Sequence, residues 1–307
     1  MSAPRLRIGT RGSRLAQTQT ELVCRALAAA HPALAAPGAL DLVVIRTTGD
    51  RVTDRPLAEL GGKGLFCKEI EAALLERRVD LAVHSIKDLP TWLPEGLVLG
   101  AVLEREDPRD VLIARTPATI ADLPEGAVIG TASVRRKAQL LAHRPDLRVV
   151  NFRGNVDTRL RKLAAGEVDA TLLALAGLRR LGLEDAGVVL APEQMLPAVG
   201  QGALGVECRA DDAGSLSLLA AIDHPASAAC VRAERALLAA LDGSCHTPIA
   251  GHAEIAAGRL HLRALIARQD GTECLRAERI GLPGDAERLG RDAGTELRAR
   301  AGPGFFD

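Results

Sequence analysis

The first two thirds of the chain alternate short apolar runs with segments in which apolar residues recur every three or four positions. Such runs predict β-strands, and such spacing predicts amphipathic helices. Strands are predicted at residues 5–9, 40–47, 79–83, 97–103, 111–114, 128–130, 147–151 and 170–175, and helices at 13–30, 65–78, 133–142 and 155–165. Strands that alternate with helices indicate an α/β fold with parallel sheets. The near-continuous apolar run at 40–47 is typical of a strand buried on both faces.

The alternation forms two blocks of similar build, near residues 1–103 and 104–200, and it changes after residue 223. A helix predicted at 226–241 is followed by three strands and a final helix, at 248–255, 260–267, 272–280 and 285–300. One helix, three consecutive strands and a second helix are typical of a small α+β domain. The pattern therefore predicts three domains.

The composition is that of a globular protein, since 47% of the 307 residues are hydrophobic and 25% are charged. These values exclude the disordered and fibrous classes. No apolar run reaches the roughly 18 residues that span a bilayer. The first residues also lack the apolar core of a signal peptide. We therefore expect a cytoplasmic protein without a membrane partner.

The charge balance argues against a nucleic-acid partner. The chain has 39 Lys and Arg against 39 Asp and Glu, so its formal net charge is zero and no overall positive field can hold a polyanion. An aromatic content of 2% leaves few rings on which bases could stack. Basic residues do cluster locally, with eleven Lys and Arg against four Asp and Glu between Arg135 and Arg180.

Polar and basic side chains follow five of the predicted strands. Ligands of open α/β sheets bind at the carboxyl ends of strands, where helix N-termini offer free N–H groups. Taken singly, Ser13, Ser133 and Asn155 read as helix N-caps. Five strand ends that combine arginine or lysine with hydroxyl groups instead predict a cleft for a small ligand with several negative charges. The segments are 10–13, 84–90, 131–136, 152–159 and 176–180.

Asp88 is an acid beside Lys87 in one of these basic segments. Its position leaves two interpretations open. One is a solvated ion pair or the cap of a short helix. The other is a carboxylate that handles a proton or a developing cation within an anion-binding site.

Two further motifs carry less weight. Residues 200–205 match G-x-G-x-x-G, but a dinucleotide site needs a strand before the glycines and a helix after them. Here prolines precede them and a strand is predicted at 203–208, so we expect no Rossmann site. The six cysteines lack metal-ligand spacing and read as mostly buried thiols. Cys245 differs, because it lies in a loop bounded by Gly243 and Pro248.

Together, long segments of the chain resemble the porphobilinogen deaminase (hydroxymethylbilane synthase) family, in the family's order and over almost the full length. They are residues 5–16, 61–66, 84–90, 130–136, 151–160, 174–183, 199–209 and the loop around Cys245. The resemblance implies two α/β domains that are similar to the halves of a periplasmic binding protein around a cleft. These are residues 1–103 with 201–222, and residues 104–200. A small α+β third domain, residues 223–307, carries the cofactor cysteine.

The resemblance also implies an activity. Family members condense four porphobilinogen molecules head to tail onto a covalent dipyrromethane cofactor, lose ammonia at each step, and release hydroxymethylbilane by hydrolysis. The cofactor is attached through a thioether, here to Cys245. Asp88 would pair with pyrrole nitrogens, stabilise the cationic azafulvene left when ammonia departs, and help to move protons. The resemblance implies no metal, and we expect a monomer.

Each pyrrole carries an acetate and a propionate, so a chain growing to six rings brings about a dozen carboxylates to the arginines. The resemblance assigns cofactor-binding roles to Lys87, Asp88, Thr131, Ser133, Arg135, Arg136, Arg153 and Gly154. It assigns substrate-binding roles to Arg11, Ser13, Gln19, Lys63, Arg153, Arg159 and Arg180.

The sequence departs from the family pattern near the cofactor cysteine. Gly243-Ser244 stands where Gly-Gly is common, and His246 and Thr247 also differ from the more usual residues; in addition, Glu59 stands where some members have lysine. The alternative function is a non-enzymatic, two-lobed binding protein for a small polyanion. A third interpretation, an NAD-dependent oxidoreductase, rests only on the glycine motif. The third domain and its cysteine loop favour the enzyme, because a binding protein needs neither.

Overall fold

A computed structural model of the chain describes residues 5–51, 64, 67–116, 119–243 and 247–306. Its strands are β1 Leu6–Thr10, β2 Leu40–Val44, β3 Leu81–Ser85, β4 Leu97–Val102, β5 Asp110–Ala114, β6 Val128–Gly130, β7 Arg148–Val150, β8 Ala170–Ala174, β9 Val188–Val189, β10 Leu204–Arg209, β11 Ile249–Ala256, β12 Arg259–Ala267 and β13 Cys274–Gly281. Its α-helices are α1 Arg14–Ala30, α2 Thr48–Arg51, α3 Lys68–Leu75, α4 Val134–His143, α5 Val156–Ala164, α6 Leu175–Arg180, α7 Ala213–Ala220, α8 Pro225–Ala240 and α9 Ala286–Ala301. Within these ranges, no helix is long and apolar enough to cross a membrane.

The chain divides into two compact units, and neither is a continuous stretch of sequence. Among the described residues, the first unit holds those up to Arg105 together with Ala203–Ala228. The second unit holds Glu106–Gly202 and the residues from Ala229 onward. The small sheet of β11, β12 and β13 thus belongs to the same unit as β5 to β9. The division into three domains stays a prediction.

The sheet of the first unit has the strand order β2-β1-β3-β10-β4. β1 is parallel to β2 and β3, whereas β10 runs antiparallel to β3 and β4. Ile8, Leu81 and Val206, from three adjacent strands, are fully buried against Val23 and Leu27 of α1. α3 packs on the opposite face. Helices therefore cover both faces of this sheet.

The sheet of the second unit repeats this arrangement in the order β7-β6-β8-β5-β9. β6 is parallel to β7 and β8, and β5 is antiparallel to β8 and β9. Ile129, Leu172 and Leu112 form its buried core with Leu140 of α4. Both sheets are thus mixed, and in each an antiparallel strand lies between the third parallel strand and the last strand.

The third sheet is antiparallel, in the order β11-β12-β13, and one of its faces is covered by α8 and α9. Leu262 of β12 packs there between Leu237 and Leu297, all three fully buried. The opposite face packs on α4, where Leu265 meets Ala138. Within the second unit, the small sheet is therefore attached to α4 by an apolar contact.

Most predicted elements match the structure to within a few residues, but two predictions about the sheets are wrong. The sheets are mixed rather than parallel. β2 is an edge strand, with Leu42 36% and Val44 51% exposed, so it is not buried on both faces. The helix predicted at 65–78 is also shorter. It ends at Leu75 because Arg77 has a φ of 57°, which a helix does not accommodate.

Candidate active site

The first unit brings two of the predicted strand ends together. β1 and β3 are parallel neighbours, so the residues after Thr10 and Ser85 lie at one edge of the sheet. Ser13 N-caps α1, and its Oγ accepts a hydrogen bond from the Ala16 N–H at 3.2 Å. Ser85 Oγ donates to Gln19 Oε1 at 3.2 Å. A pocket at this edge is lined by Arg11, Ala16, Gln19, Cys67, Val83, His84, Ser85 and Asp88.

Asp88 is held at this pocket through its backbone, while its side chain is exposed. It ends a short 3₁₀ helix, Ile86–Asp88, that follows β3 directly. Ile86 is 1% exposed, and its N–H donates to the Ala203 carbonyl at 3.1 Å, which fixes the start of the turn. The Cys67 thiol donates to the Asp88 carbonyl, with Sγ and O 3.9 Å apart. The half-buried Lys87 is its chain neighbour.

Four buried titratable side chains lie at this pocket or next to it, and two of them, His84 and Cys67, line it. His84 Nε2 is 2.8 Å from Glu207 Oε2, and both side chains are less than a tenth exposed. Burial and the charge of Glu207 raise the pKa of Glu71, in helix α3. Burial and the charges of Glu71, Glu207 and Asp88 raise the pKa of the Cys67 thiol, which therefore stays protonated at neutral pH.

The second unit presents a corresponding edge, where β6 lies between its parallel neighbours β7 and β8. Thr131 follows β6, and its Oγ1 accepts from the Ser133 N–H at 3.1 Å. Ser133 N-caps α4, and its Oγ accepts from the Arg136 N–H at 3.4 Å. Gly130 ends β6 and packs against the buried ring of Phe152. A side chain at this position would clash, because its Cβ would lie 2.6 Å from the ring. The N-terminus of α4 therefore opens at this edge, as an anion site requires.

The segment after β7 leads into a second helix start at the same edge. Asn155 N-caps α5, and its Oδ1 accepts from the Thr158 N–H at 2.8 Å. Arg153 and Arg159 are half-buried on either side of this cap, and each makes a polar or electrostatic contact within the protein. Gly154 is exposed in the turn between Arg153 and Asn155.

Arg135 and Arg136 are directed toward a buried carboxylate, that of Asp110. Asp110 is the first residue of β5 and is fully buried. Its Oδ2 accepts from Arg135 Nη1 at 2.8 Å, and its Oδ1 accepts from Arg136 Nη2 at 2.7 Å. Although burial opposes the charged form, the two guanidinium groups hold the pKa of Asp110 well below its usual range. The three side chains carry one more positive than negative charge.

Arg180 ends α6 and is tied to the glycine-rich segment before β10. Its Nη2 donates to the Gly202 carbonyl at 2.6 Å, and burial lowers the pKa of Arg180 to about 10. Gly202 has a φ of 87° and lies against the Glu106 carbonyl, with no room for a Cβ. The segment leads into a strand rather than a helix, which confirms that the G-x-G-x-x-G match does not have the structure of a dinucleotide site.

The structure places the predicted site residues in two groups, one in each unit. The first unit holds Arg11, Ser13, Gln19, Lys87 and Asp88, and the second holds Thr131, Ser133, Arg135, Arg136, Arg153, Gly154, Arg159 and Arg180. Lys63 and Cys245 lie outside the described residues. The roles of these residues stay predictions, as does the expectation that both sheets face one cleft.

Arg135 and Arg136 differ most from what the sequence predicts. The two residues are only 5% and 6% exposed. Their guanidinium groups donate hydrogen bonds to Asp110 and to the carbonyls of Leu196 and Leu172. They are therefore part of a buried network, rather than two arginines that reach freely into solvent. A ligand carboxylate that binds these arginines would therefore have to bind next to Asp110 and share their hydrogen-bond donors with it.

Sequence reasoning did not single out Asp110, Glu71 or Glu207. A signal was present for two of them. Asp110 begins an apolar strand segment, and Glu207 lies within another. Burying a charged side chain at such a position costs free energy unless a partner of opposite charge lies beside it. His84 lay within a recognised segment but had no role assigned to it.

The cysteines of the described ranges are free and at least partly buried. Burial raises the thiol pKa of Cys24 and Cys208 to about 11, and it also raises that of Cys274. They are therefore poor nucleophiles, as predicted for buried thiols. In the part of the chain that the structure describes, no group of three His, Cys, Asp or Glu side chains is arranged to hold a metal ion.

Two family models match the chain. One, for the dipyromethane cofactor binding domain of porphobilinogen deaminase, matches residues 6–217, and the other, for the C-terminal domain of porphobilinogen deaminase, matches residues 228–299. The porphobilinogen deaminase of Paracoccus denitrificans (strain Pd 1222) is 57% identical over 303 residues, which cover 98% of this chain and 96% of that protein. The chloroplastic porphobilinogen deaminase of Oryza sativa subsp. japonica is 52% identical over 307 residues, covering 98% and 86%.

Among solved structures, the periplasmic aliphatic sulphonate binding protein SsuA of Escherichia coli is similar at a TM-score of 0.42 and 17% identity. The match covers 78% of this chain and 70% of that one.

Proposed function

Since the chain belongs to the porphobilinogen deaminase family, we propose that Asp88 is its catalytic carboxylate and that the basic strand ends bind the carboxylates of its pyrrole ligands. The chain is a transferase of tetrapyrrole biosynthesis. It condenses four molecules of its substrate, porphobilinogen, head to tail onto a dipyrromethane cofactor, with loss of ammonia at each step. It then releases hydroxymethylbilane by hydrolysis.

One observation carries the role of Asp88: this exposed residue lines the same pocket as Arg11. Porphobilinogen carries two carboxylates and one aminomethyl group, so a site for it needs both a cation and an anion. Arg11 and Lys87 suit the carboxylates. Asp88 suits the positive charge that develops on the pyrrole as ammonia leaves, and a fixed carboxylate at that position lowers the barrier.

The second unit suits the carboxylates of the cofactor. Arg135, Arg136 and Asp110 carry one excess positive charge, and Arg135 Nε is buried without a hydrogen-bond partner among the described residues. A buried charge of this kind calls for an anion. Ser133 and the N-terminus of α4 add neutral donors at the same edge. When bound, the cofactor supplies the pyrrole carbon to which the first substrate molecule is joined.

We extend the proposal to the remaining predicted residues by their match to the family motifs. Cys245 would hold the cofactor through a thioether within a third domain at residues 223–307. The other cofactor-binding residues would be Lys87, Asp88, Thr131, Arg153 and Gly154. The substrate-binding residues would be Arg11, Ser13, Gln19, Lys63, Arg153, Arg159 and Arg180.

The direct test of the function is product stoichiometry. The purified full-length chain is incubated with porphobilinogen, released ammonia is counted, and the linear tetrapyrrole is detected in the quenched reaction. Four ammonia molecules per hydroxymethylbilane are expected. A chain that binds porphobilinogen but releases no ammonia would instead be the polyanion-binding protein.

A further inference from the structure

The carboxylate of Asp110 joins three segments of the second unit: β5, the start of α4 and the glycine-rich segment before β10. Its Oδ2 accepts a hydrogen bond from Arg135 Nη1 at 2.8 Å. Its Oδ1 accepts from Arg136 Nη2 at 2.7 Å, from Arg136 Nε at 3.2 Å and from Gln201 Nε2 at 2.9 Å. Asp110 is 0% exposed, so all four hydrogen bonds are shielded from solvent.

The sheet fixes the position of Asp110 itself. Asp110 pairs with Ala174 of β8, and its carbonyl accepts from the Leu190 N–H at 2.9 Å. Although burial opposes its charge, Arg135 and Arg136 hold the pKa of Asp110 well below its usual range. Asp110 is therefore a permanent anion at a place that the backbone of β5 sets.

Arg135 is held through one nitrogen atom. Both hydrogen bonds that it makes among the described residues come from Nη1, one to Asp110 Oδ2 and one to the Leu196 carbonyl at 2.8 Å. Gln139 holds Leu196 in turn, because its Oε1 accepts from the Leu196 N–H at 2.8 Å and its Nε2 donates to the Leu196 carbonyl at 3.1 Å. Two fixed acceptors on one nitrogen determine how the planar guanidinium group of Arg135 is turned.

The two arginines differ in which edge of the guanidinium group the protein uses. Arg136 directs its Nε and Nη2 to Asp110 Oδ1, and its Nη1 donates to the Leu172 carbonyl at 2.8 Å. In Arg135 the protein uses Nη1, and Nε is buried without a hydrogen-bond partner in the described part of the chain. The Nε–Nη2 edge is the one that fits a carboxylate through two parallel hydrogen bonds. Buried polar groups are nearly always hydrogen-bonded, so the Nε of Arg135 indicates an acceptor that a ligand supplies.

We propose that Asp110 is a positioning residue for the cofactor: it holds Nη1 of Arg135, so that the Nε–Nη2 edge of that arginine binds one carboxylate of the dipyrromethane. The proposal rests on the proposed role of Arg135 in cofactor binding. Asp110 acts through Arg135 and does not itself touch the cofactor. The single excess positive charge of Asp110, Arg135 and Arg136 then balances one carboxylate.

The test is Asp110→Asn in the full-length chain. An amide N–H₂ group then replaces one carboxylate oxygen and faces a guanidinium donor, so at least one of the two arginines must move. Intact-protein mass spectrometry should show that a share of the folded chains has lost the added mass of the cofactor. Per loaded chain, kcat should fall about tenfold or more, because a displacement of about 1 Å can cost 100-fold. The KM for porphobilinogen should change less than about twofold, because no hydrogen bond of Asp110 reaches a proposed substrate-binding residue among those described.

The same variant separates position from charge. Asp110→Asn leaves two excess positive charges instead of one, so arginines that acted by charge alone would hold the cofactor at least as well as before. A wild-type kcat per loaded chain would overturn the proposal, whatever the loaded fraction.

Asp169→Asn is the matched control for loss of stability. Asp169 lies in the same unit, before the start of β8, whereas Asp110 lies opposite the end of that strand. Its Oδ2 accepts from the Val128 N–H at 2.8 Å, and its Oδ1 accepts from Arg115 Nη2 at 2.9 Å. This variant should lower the unfolding temperature and keep the loaded fraction and kcat. If it loses both as Asp110→Asn does, the effect reflects stability and the proposal fails.

A second measurement covers the case in which Asp110→Asn does not fold. In holoenzyme with ¹⁵N-labelled arginine, the Nε–H signal of Arg135 is identified by its loss in Arg135→Lys. It should differ in chemical shift, and exchange more slowly with solvent, compared with the same signal in Cys245→Ser, whose bare mass is checked first. The Nε–H signal of Arg136, which is bound to Asp110, should change much less. Identical Arg135 signals in the two proteins would overturn the proposal.

Failure of this inference is distinguishable from failure of the proposed function. A wild type that forms hydroxymethylbilane, with an Asp110→Asn variant of equal kcat per loaded chain, keeps the function and removes the role of Asp110. A wild type that carries no added mass and releases no ammonia removes the function, and the positioning role with it.

Discussion

Arg153 and Arg159 lie half-buried at the start of α5, where a planar guanidinium group can hold a carboxylate through two parallel hydrogen bonds. Arg153→Lys and Arg159→Lys keep the charge but lose this paired geometry. Each such contact is worth roughly 1.5–3 kcal/mol, so turnover of porphobilinogen should fall about tenfold or more. Steady-state kinetics at several substrate concentrations measures the loss.

Arg161 provides the matched control, because it lies exposed on the same helix. Arg161→Lys should elongate at the wild-type rate. If the Arg153 and Arg159 variants also elongate at that rate and saturate at the same concentration, these two arginines do not bind ligand carboxylates.

Asp88 gives the sharpest prediction at this scale. Asp88→Asn keeps the size of the side chain but removes its charge, whereas Asp88→Glu keeps the charge and moves it by one methylene. If electrostatic stabilisation dominates, the rate of product formation should fall by about 100-fold or more in the Asp88→Asn variant. It should fall less in the Asp88→Glu variant. Folding should be little affected, because the side chain is exposed. Near-normal turnover of Asp88→Asn would contradict the assignment, and its thermal unfolding curve is the control.

The sequence predicted residues such as Arg11, Ser133 and Asp88 because they follow strands, and a parallel sheet collects its strand ends at one edge. Asp110 was missed because it begins a strand instead. β5 is antiparallel to β8, so Asp110 pairs with Ala174 and lies at the edge where β8 ends. A rule that looks only at the carboxyl ends of strands cannot find such a residue.

At the scale of elements, helix starts were easier to predict than strand directions. Ser13, Ser133 and Asn155 each cap the helix that the pattern begins with them, because a cap depends on a few neighbouring residues. An apolar run predicts a strand but not the direction of that strand relative to its neighbours. The sequence therefore predicted β5 and β10 as strands without showing that they are antiparallel. Their partners are set by distant parts of the chain, as when β10 pairs with β3.

Asp110 also joins two elements, since it begins β5 and binds two arginines of α4. Asp110→Asn leaves both guanidinium groups buried without their carboxylate, and breaking a buried pair costs about 3–5 kcal/mol of the free energy of unfolding. Urea denaturation of the purified chain measures the loss. Asp146→Asn, which breaks the more exposed pair with Arg144, is the control and should cost much less.

The contact of Asp110 with Arg135 and Arg136 also predicts that the stability of the protein depends on pH. The folded-state pKa of Asp110 is held below its unfolded value, so its stabilising contribution is complete above the unfolded value and is lost as the pH falls below it. Stability of the wild type should therefore drop below about pH 4, and Asp110→Asn should drop less steeply there. Parallel denaturation curves for the two proteins over that range would contradict the assignment.

For the whole molecule, the central prediction is that Cys245 alone carries the cofactor. Intact-protein mass spectrometry should give a mass above the sequence value by two linked pyrrole units, and peptide mapping should place them on the peptide that holds Cys245. Cys245→Ser should show the bare mass and no turnover. It should also unfold at lower temperature, because a ligand bound by the folded state stabilises it.

Cys24→Ser is the control among the cysteines, since burial raises the pKa of that thiol to about 11. It should keep the added mass. A wild type that is unmodified and fully active would contradict the attachment of any such group and would favour the binding-protein interpretation.

The interleaving of the two units along the chain has a consequence for the order of folding. β10 lies between β3 and β4, yet it is synthesised about a hundred residues after β4, once most of the second unit has been made. Until Leu204 emerges from the ribosome, the facing edges of β3 and β4 lack the strand that joins them, and open strand edges invite association with other chains. The first unit therefore cannot complete its sheet until β10 has been synthesised.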